Sequence, residues 1–207
     1  RFKKLPIMGI CRGITADSVT PLVEAVVSAG LETIEITMNT QDAQSLITQT
    51  VKAAGKRLMV GAGTVLNVES LKSALDAGAT FIVTSVMIDE VIEYCSKNII
   101  PVFPGALTPG EIYRAWNSGA TMVKVFPSAF FGPEYFREIK GPFADIELLA
   151  CGGVTAGNLQ DYLNNGADAI AFGGSVFRKD WMEKKEFHKI AIEVKKLVDA
   201  FKKADIK

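Results

Sequence analysis

Two ionisable residues stand where apolar side chains are the norm. Lys124 lies in the run ATMVKVFP, and Glu35 lies in TIEITMN. Both runs read as strands from their β-branched and apolar content. An ammonium or carboxylate inside such a run loses solvation on folding. Burial penalises the charged form of a lysine, and the neutral amine is the nucleophile that forms a Schiff base with a ketone. A carboxylate beside it can move the protons that imine formation and C–C cleavage require. The bland alternative is a buried lysine–glutamate ion pair with a structural role only.

Other chemistry-bearing residues fall at the ends of strand-like runs. Arg12 follows the first run in MGICRGIT and can fork onto a carboxylate or phosphate. Thr64 presents a hydroxyl after the third run, in VGAGTV. Gly152 and Gly153 close the seventh run in LLACGGV, directly after Cys151, and Gly173, Gly174 and Ser175 close the eighth in IAFGGSVF. Bare backbone N–H groups in such loops can approach an anion, and the Ser175 hydroxyl adds a donor. Two glycine pairs at two late strand ends point to a phosphorylated ligand; the alternative is a pair of tight turns.

Positioning these residues requires a repeating scaffold. Strand-like runs begin near Leu5, Thr33, Leu58, Phe81, Pro101, Met122, Glu147 and Ala169, with helical patterns between them. Each interval holds one strand, one helix and two short loops, which predicts a (β/α)8 TIM barrel. A doubly wound open sheet is the runner-up, but the expected GxGxxG after the first strand is absent. The strings SAGLETIEI, DAGATFIV, NSGATMVK and NNGADAIAF form an internal repeat on the even strands. Their glycines, Gly30, Gly78, Gly119 and Gly166, suit left-handed helix C-caps. Five residues after each glycine stand Glu35, Val83, Lys124 and Ala171. Alternate strands supply one layer of a barrel interior. The repeat therefore places Glu35 and Lys124 in one inward layer, in contact directly or through one water.

Composition narrows the function classes. The chain has 207 residues, read as one domain spanning 1–207. Its 23 Lys+Arg and 23 Asp+Glu cancel, which argues against a nucleic-acid surface and a polybasic membrane patch. No apolar run is long enough for a membrane span. The one histidine, His188, lies in a charged amphipathic stretch and reads as a helix-face residue, so neither a histidine-rich metal site nor a Ser-His-Asp triad is expected elsewhere. Cys11, Cys95 and Cys151 contain no CxxC pair, which suits a reducing cytoplasm.

The strings MGICRGIT, IEITMNT, VGAGTVL, FPGALTPGE, VKVFPS, GPEYFREIKGPF, CGGVTAGNL and FGGSVF run in order through residues 5 to 178. The chain resembles the class I 2-keto-3-deoxy-6-phosphogluconate and 2-keto-3-deoxy-6-phosphogalactonate aldolases. That resemblance implies a (β/α)8 barrel, a homotrimer, no metal and no cofactor. It implies Lys124 as the Schiff-base residue, Glu35 as the proton acceptor and donor, and Thr64 at the pyruvate part. It places the phosphate at Gly152, Gly153, Gly174 and Ser175, with Arg12 and Cys151 also at the substrate. The chain departs from the gluconate type at Asn39, where an arginine is frequent, at Cys151, where threonine precedes the glycine pair, and at Ser85, where proline is common. CRGIT and MNT lean toward the galactonate type. Two further readings stay open: a phosphate-binding barrel isomerase using Glu35 as a base without covalent chemistry, and a non-catalytic barrel subunit.

Overall fold

The computed structural model describes residues 1–203. Strands β1 (Ile7–Cys11), β2 (Thr33–Thr37), β3 (Met59–Gly63), β4 (Ile82–Val83), β5 (Val102–Phe103), β6 (Gly105–Ala106), β7 (Val123–Val125), β8 (Leu148–Cys151) and β9 (Ala169–Phe172) form one parallel sheet. The order is β5-β4-β3-β2-β1-β9-β8-β7-β6. Strands β5 and β6 are two halves of one stave, divided at Pro104, so the sheet closes on itself as an eight-staved barrel. The sequence reading expects one continuous fifth strand. Proline has no N–H to give the ladder, but its carbonyl still accepts from Lys124 N–H at 2.9 Å, so the stave holds its place.

Helices alternate with the strands and cover the barrel's outside, among them α1 (Ala16–Ser28), α2 (Ala43–Ala54), α3 (Val68–Asp76), α4 (Asp89–Lys97), α5 (Pro109–Asn117), α6 (Glu134–Lys140) and α7 (Leu159–Asn164). After α1, α3, α5 and α7 the repeat glycines adopt left-handed backbone: φ is +89° at Gly30, +97° at Gly78, +98° at Gly119 and +98° at Gly166. Each turns the chain straight into the next even stave, which is the role the repeat predicts. His188 is exposed on the last helix, Phe187–Lys202.

Outward strand residues pack with the helices in a large apolar shell. Inward residues form a separate cluster: Met8, Phe81, Val83, Phe103, Met122, Leu149, Cys151, Ala169 and Ala171. At the N-terminal end the short helix Phe2–Lys4 caps the barrel. There Phe2 meets Phe103 edge-on with ring centroids 5.4 Å apart, and Phe103 meets Phe81 at 5.8 Å. That end is filled with side chains; the opposite end is not.

Candidate active site

A cavity of about 1070 Å³ opens at the C-terminal ends of the strands, the face where barrel loops converge. Its walls include Arg12, Glu35, Thr64, Lys124, Cys151, Gly152, Gly153, Gly174 and Ser175. Every residue that the sequence reading nominates therefore faces one space.

Lys124 sits in the middle of β7 with the side chain turned inward. It is 5% exposed, and its Nζ lies 5.5 Å from the Phe126 ring centroid. Glu35, in the middle of β2, is 1% exposed. Val83 and Ala171 are also buried and belong to the inward cluster, so the four residues five positions after the repeat glycines do share the interior. Of the two arrangements expected for the pair, direct contact is the one the structure excludes. Lys124 and Glu35 form no direct ion pair within 4.0 Å, and neither Glu35 oxygen has a hydrogen-bond partner among the described residues. Burial pushes the Glu35 carboxyl above its ordinary value, and the Lys124 and Arg12 charges only partly oppose this. The two groups flank open space instead of filling it with each other.

Glycine makes room for the carboxylate. A Cβ added at Gly63, across the β2–β3 ladder, would overlap Glu35 Oε1 and lie 2.5 Å from its Cδ. Directly after Gly63, Thr64 has φ +54°, a left-handed backbone that a β-branched residue rarely adopts. This turn brings Thr64 into the cavity wall. The Cys151 thiol is pushed up to about 11, by burial first, while the Lys124 charge pulls the other way. It is a neutral neighbour of the lysine at any ordinary pH.

The far rim is built from bare backbone. Gly152 (φ +97°) and Gly153 (φ +80°) are consecutive left-handed residues, and a Cβ at Gly153 would lie 2.7 Å from Ala129 Cβ. Asn158 Nδ2 donates to Gly153 O at 3.0 Å and holds the loop. Gly174 and Ser175 stand beside them on the neighbouring stave, after β9, and the Ser175 hydroxyl donates to Val154 O at 3.5 Å. Arg12 is exposed and makes no ion pair among the described residues, so its guanidinium is uncommitted at the mouth.

Sequence reasoning missed the residues that hold this frame. Ser128 is buried; its hydroxyl donates to Val125 O at 2.8 Å and accepts from Cys151 N–H at 2.9 Å, tying the end of β7 to the end of β8. Thr40 Oγ1 accepts from Gly13 N–H at 3.1 Å and lies 3.1 Å from Thr37 Oγ1, fixing the turn after Arg12. Both partnerships cross between staves, and no local motif announces them.

A parallel barrel with a buried lysine and carboxylate beneath a glycine-lined rim has the layout of an enzyme that works on a carbonyl compound carrying an anionic tail. Comparison with known proteins agrees: the family of KDPG and KHG aldolases matches residues 1–192. The chain is 36% identical to the 2-dehydro-3-deoxy-6-phosphogalactonate aldolase of Escherichia coli (strain K12) over 84% of this chain and 86% of that one. It is 32% identical to a 2-dehydro-3-deoxy-phosphogluconate aldolase of Pseudomonas aeruginosa, over 91% and 87%. A solved structure described as native KDPGal superimposes with a TM-score of 0.91 at 34% identity, covering 97% of this chain and 96% of that one. The chain belongs to the KDPG and KHG aldolase family.

Proposed function

We propose that the protein is a class I aldolase that cleaves a 2-keto-3-deoxy-6-phospho sugar acid, of the gluconate or galactonate series, to pyruvate and D-glyceraldehyde 3-phosphate. The observation that carries this reading is the inward pair Lys124 and Glu35, buried and unpaired with each other, in a cavity rimmed by two bare-backbone loops. Lys124 Nζ attacks the C2 ketone, and the ketone oxygen leaves as water to give an iminium. Glu35, through a water, accepts the proton of the C4 hydroxyl. The C3–C4 electron pair moves onto the iminium, leaving an enamine on Lys124 and releasing C4 as the aldehyde. Protonation at C3 and hydrolysis return pyruvate and the free amine. The iminium is the electron sink, so the steps call for no metal or cofactor. The amides of Gly152, Gly153 and Gly174, with the Ser175 hydroxyl, take the phosphate; Arg12 adds the cation, Thr64 contacts the pyruvyl part, and Cys151 packs against the reacting carbons.

The galactonate epimer is placed first, on CRGIT and MNT in the sequence. We place the protein in the cytoplasm as a homotrimer, with 1–207 acting as one domain. No described helix is long and apolar enough to cross a membrane.

Incubation with pyruvate and borohydride, read by mass spectrometry, tests the chemistry. A stable adduct on Lys124 is expected, with turnover abolished in both Lys124→Ala and Lys124→Arg, because a guanidinium cannot form the imine. Turnover should survive a chelator. An isomerase using Glu35 alone would give no adduct, and that result would overturn the reading.

A further inference from the structure

We propose that Ser85 binds the C1 carboxylate of the keto acid, an assignment that rests on the Schiff-base reading above. Ser85 follows β4 and lines the same cavity as Lys124, Glu35 and Thr64. Its neighbour fixes the turn: Thr84 Oγ1 donates to Val86 O at 2.6 Å and accepts from Gly105 N–H at 3.2 Å. The glycine at 105 is what lets this turn in. A Cβ there would overlap the Ser85 carbonyl and lie 2.8 Å from Val86 N. Gly105 is also the register partner of Lys124. Ser85 is thus held by its backbone two staves from the lysine's strand, and the stave between them carries glycine at 105. It is half-buried, and its own hydroxyl engages no hydrogen-bond partner among the described residues.

The strand order says which part of the substrate meets it. Around the ring, one arc from Lys124 runs through β8, β9 and β1, and carries both glycine loops and Arg12. The other runs through β6/β5, β4 and β3 to Glu35 on β2, and the strand ends on it bring Ser85 and Thr64 to the cavity wall. The C2 atom is bonded to Lys124, and the phosphate, four carbons further along, occupies the glycine-loop arc. The carboxylate on the other side of C2 must then face the hydroxyl arc. A carboxylate accepts several hydrogen bonds, and two neutral hydroxyls from consecutive staves are suitable donors.

Borohydride trapping separates this from a merely structural role. Adduct formation is measured against the concentration of pyruvate and of its neutral amide, for the parent protein and for Ser85→Ala. The half-saturating pyruvate concentration should rise about ten- to hundredfold in Ser85→Ala, the loss of one hydrogen bond to a charged group. For the amide the rise should be several times smaller, since a neutral acceptor makes the weaker bond. Equal saturation by pyruvate in both proteins, or an equal loss for both ligands, would overturn the assignment of Ser85 alone. No adduct in the parent would overturn the Schiff-base reading and this assignment with it.

Discussion

Glu35 illustrates a conflict between folding and chemistry at a single position. Its carboxyl is buried with both oxygens unpartnered among the described residues, and burial holds it above the ordinary carboxylate value of 4.5. The folded state therefore keeps a proton that the unfolded chain releases. Its stability contribution is whole below about pH 4.5 and is lost as pH rises through the raised value. Glu35→Gln removes that proton linkage. Urea midpoints should fall for the parent between about pH 5 and about pH 8, relative to those of Glu35→Gln, which lacks the titration. Turnover in the variant should drop by about 10²–10⁴ with the loss of the general base. A constant difference between the two midpoints across pH would refute the burial argument. Such residues were legible in the sequence because a charge inside an apolar run needs a reason. Ser128, Thr40 and Asn158 were not, because serine, threonine and asparagine are ordinary in loops and their partners lie on other staves. The choice between direct contact and separation of Lys124 and Glu35 was left open in the sequence: the repeat fixes which way each points, and side-chain reach and Gly63 fix how far apart they stop.

At the scale of elements, the helix-ending glycines are the most demanding part of the design. Gly78 has φ +97°, while a Cβ there would make only ordinary contact with Val51, at 3.5 Å. Space does not exclude alanine, so backbone conformation alone decides. Gly78→Ala should lower stability by about 1–2 kcal/mol, the cost of left-handed backbone for an L-residue, with kcat per folded molecule unchanged. Thermal unfolding paired with active-site titration checks this; a neutral substitution would show that the turn can relax. The same glycines made the even staves readable, because a C-cap followed by an apolar strand is a local signal. The break at Pro104 was harder to see. Whether a proline divides a strand or merely sits beside it depends on which neighbour would have needed its N–H, and that is a property of the closed sheet.

The surface of the whole molecule carries apolar side chains that its own fold leaves uncovered. Phe130 is 82% exposed, and Phe131 and Val86 are more than half exposed. Burial against further copies of the chain, as in the proposed homotrimer, would remove such groups from water. Light scattering at micromolar concentration should give a mass near three times 22.3 kDa, and Phe130→Asp should lower it; a monomeric mass at all concentrations would refute the assembly. Within each copy, the aromatic stopper of Phe2, Phe103 and Phe81 closes one end of the barrel, and among the described residues the cavity opens at the other. Traffic through it has to queue. In the proposed cleavage the pyruvyl fragment remains tethered to Lys124 at the inner end, and the phosphorylated aldehyde lies between it and the exit. The aldehyde therefore leaves first and pyruvate last, and in the synthetic direction pyruvate is the first to enter.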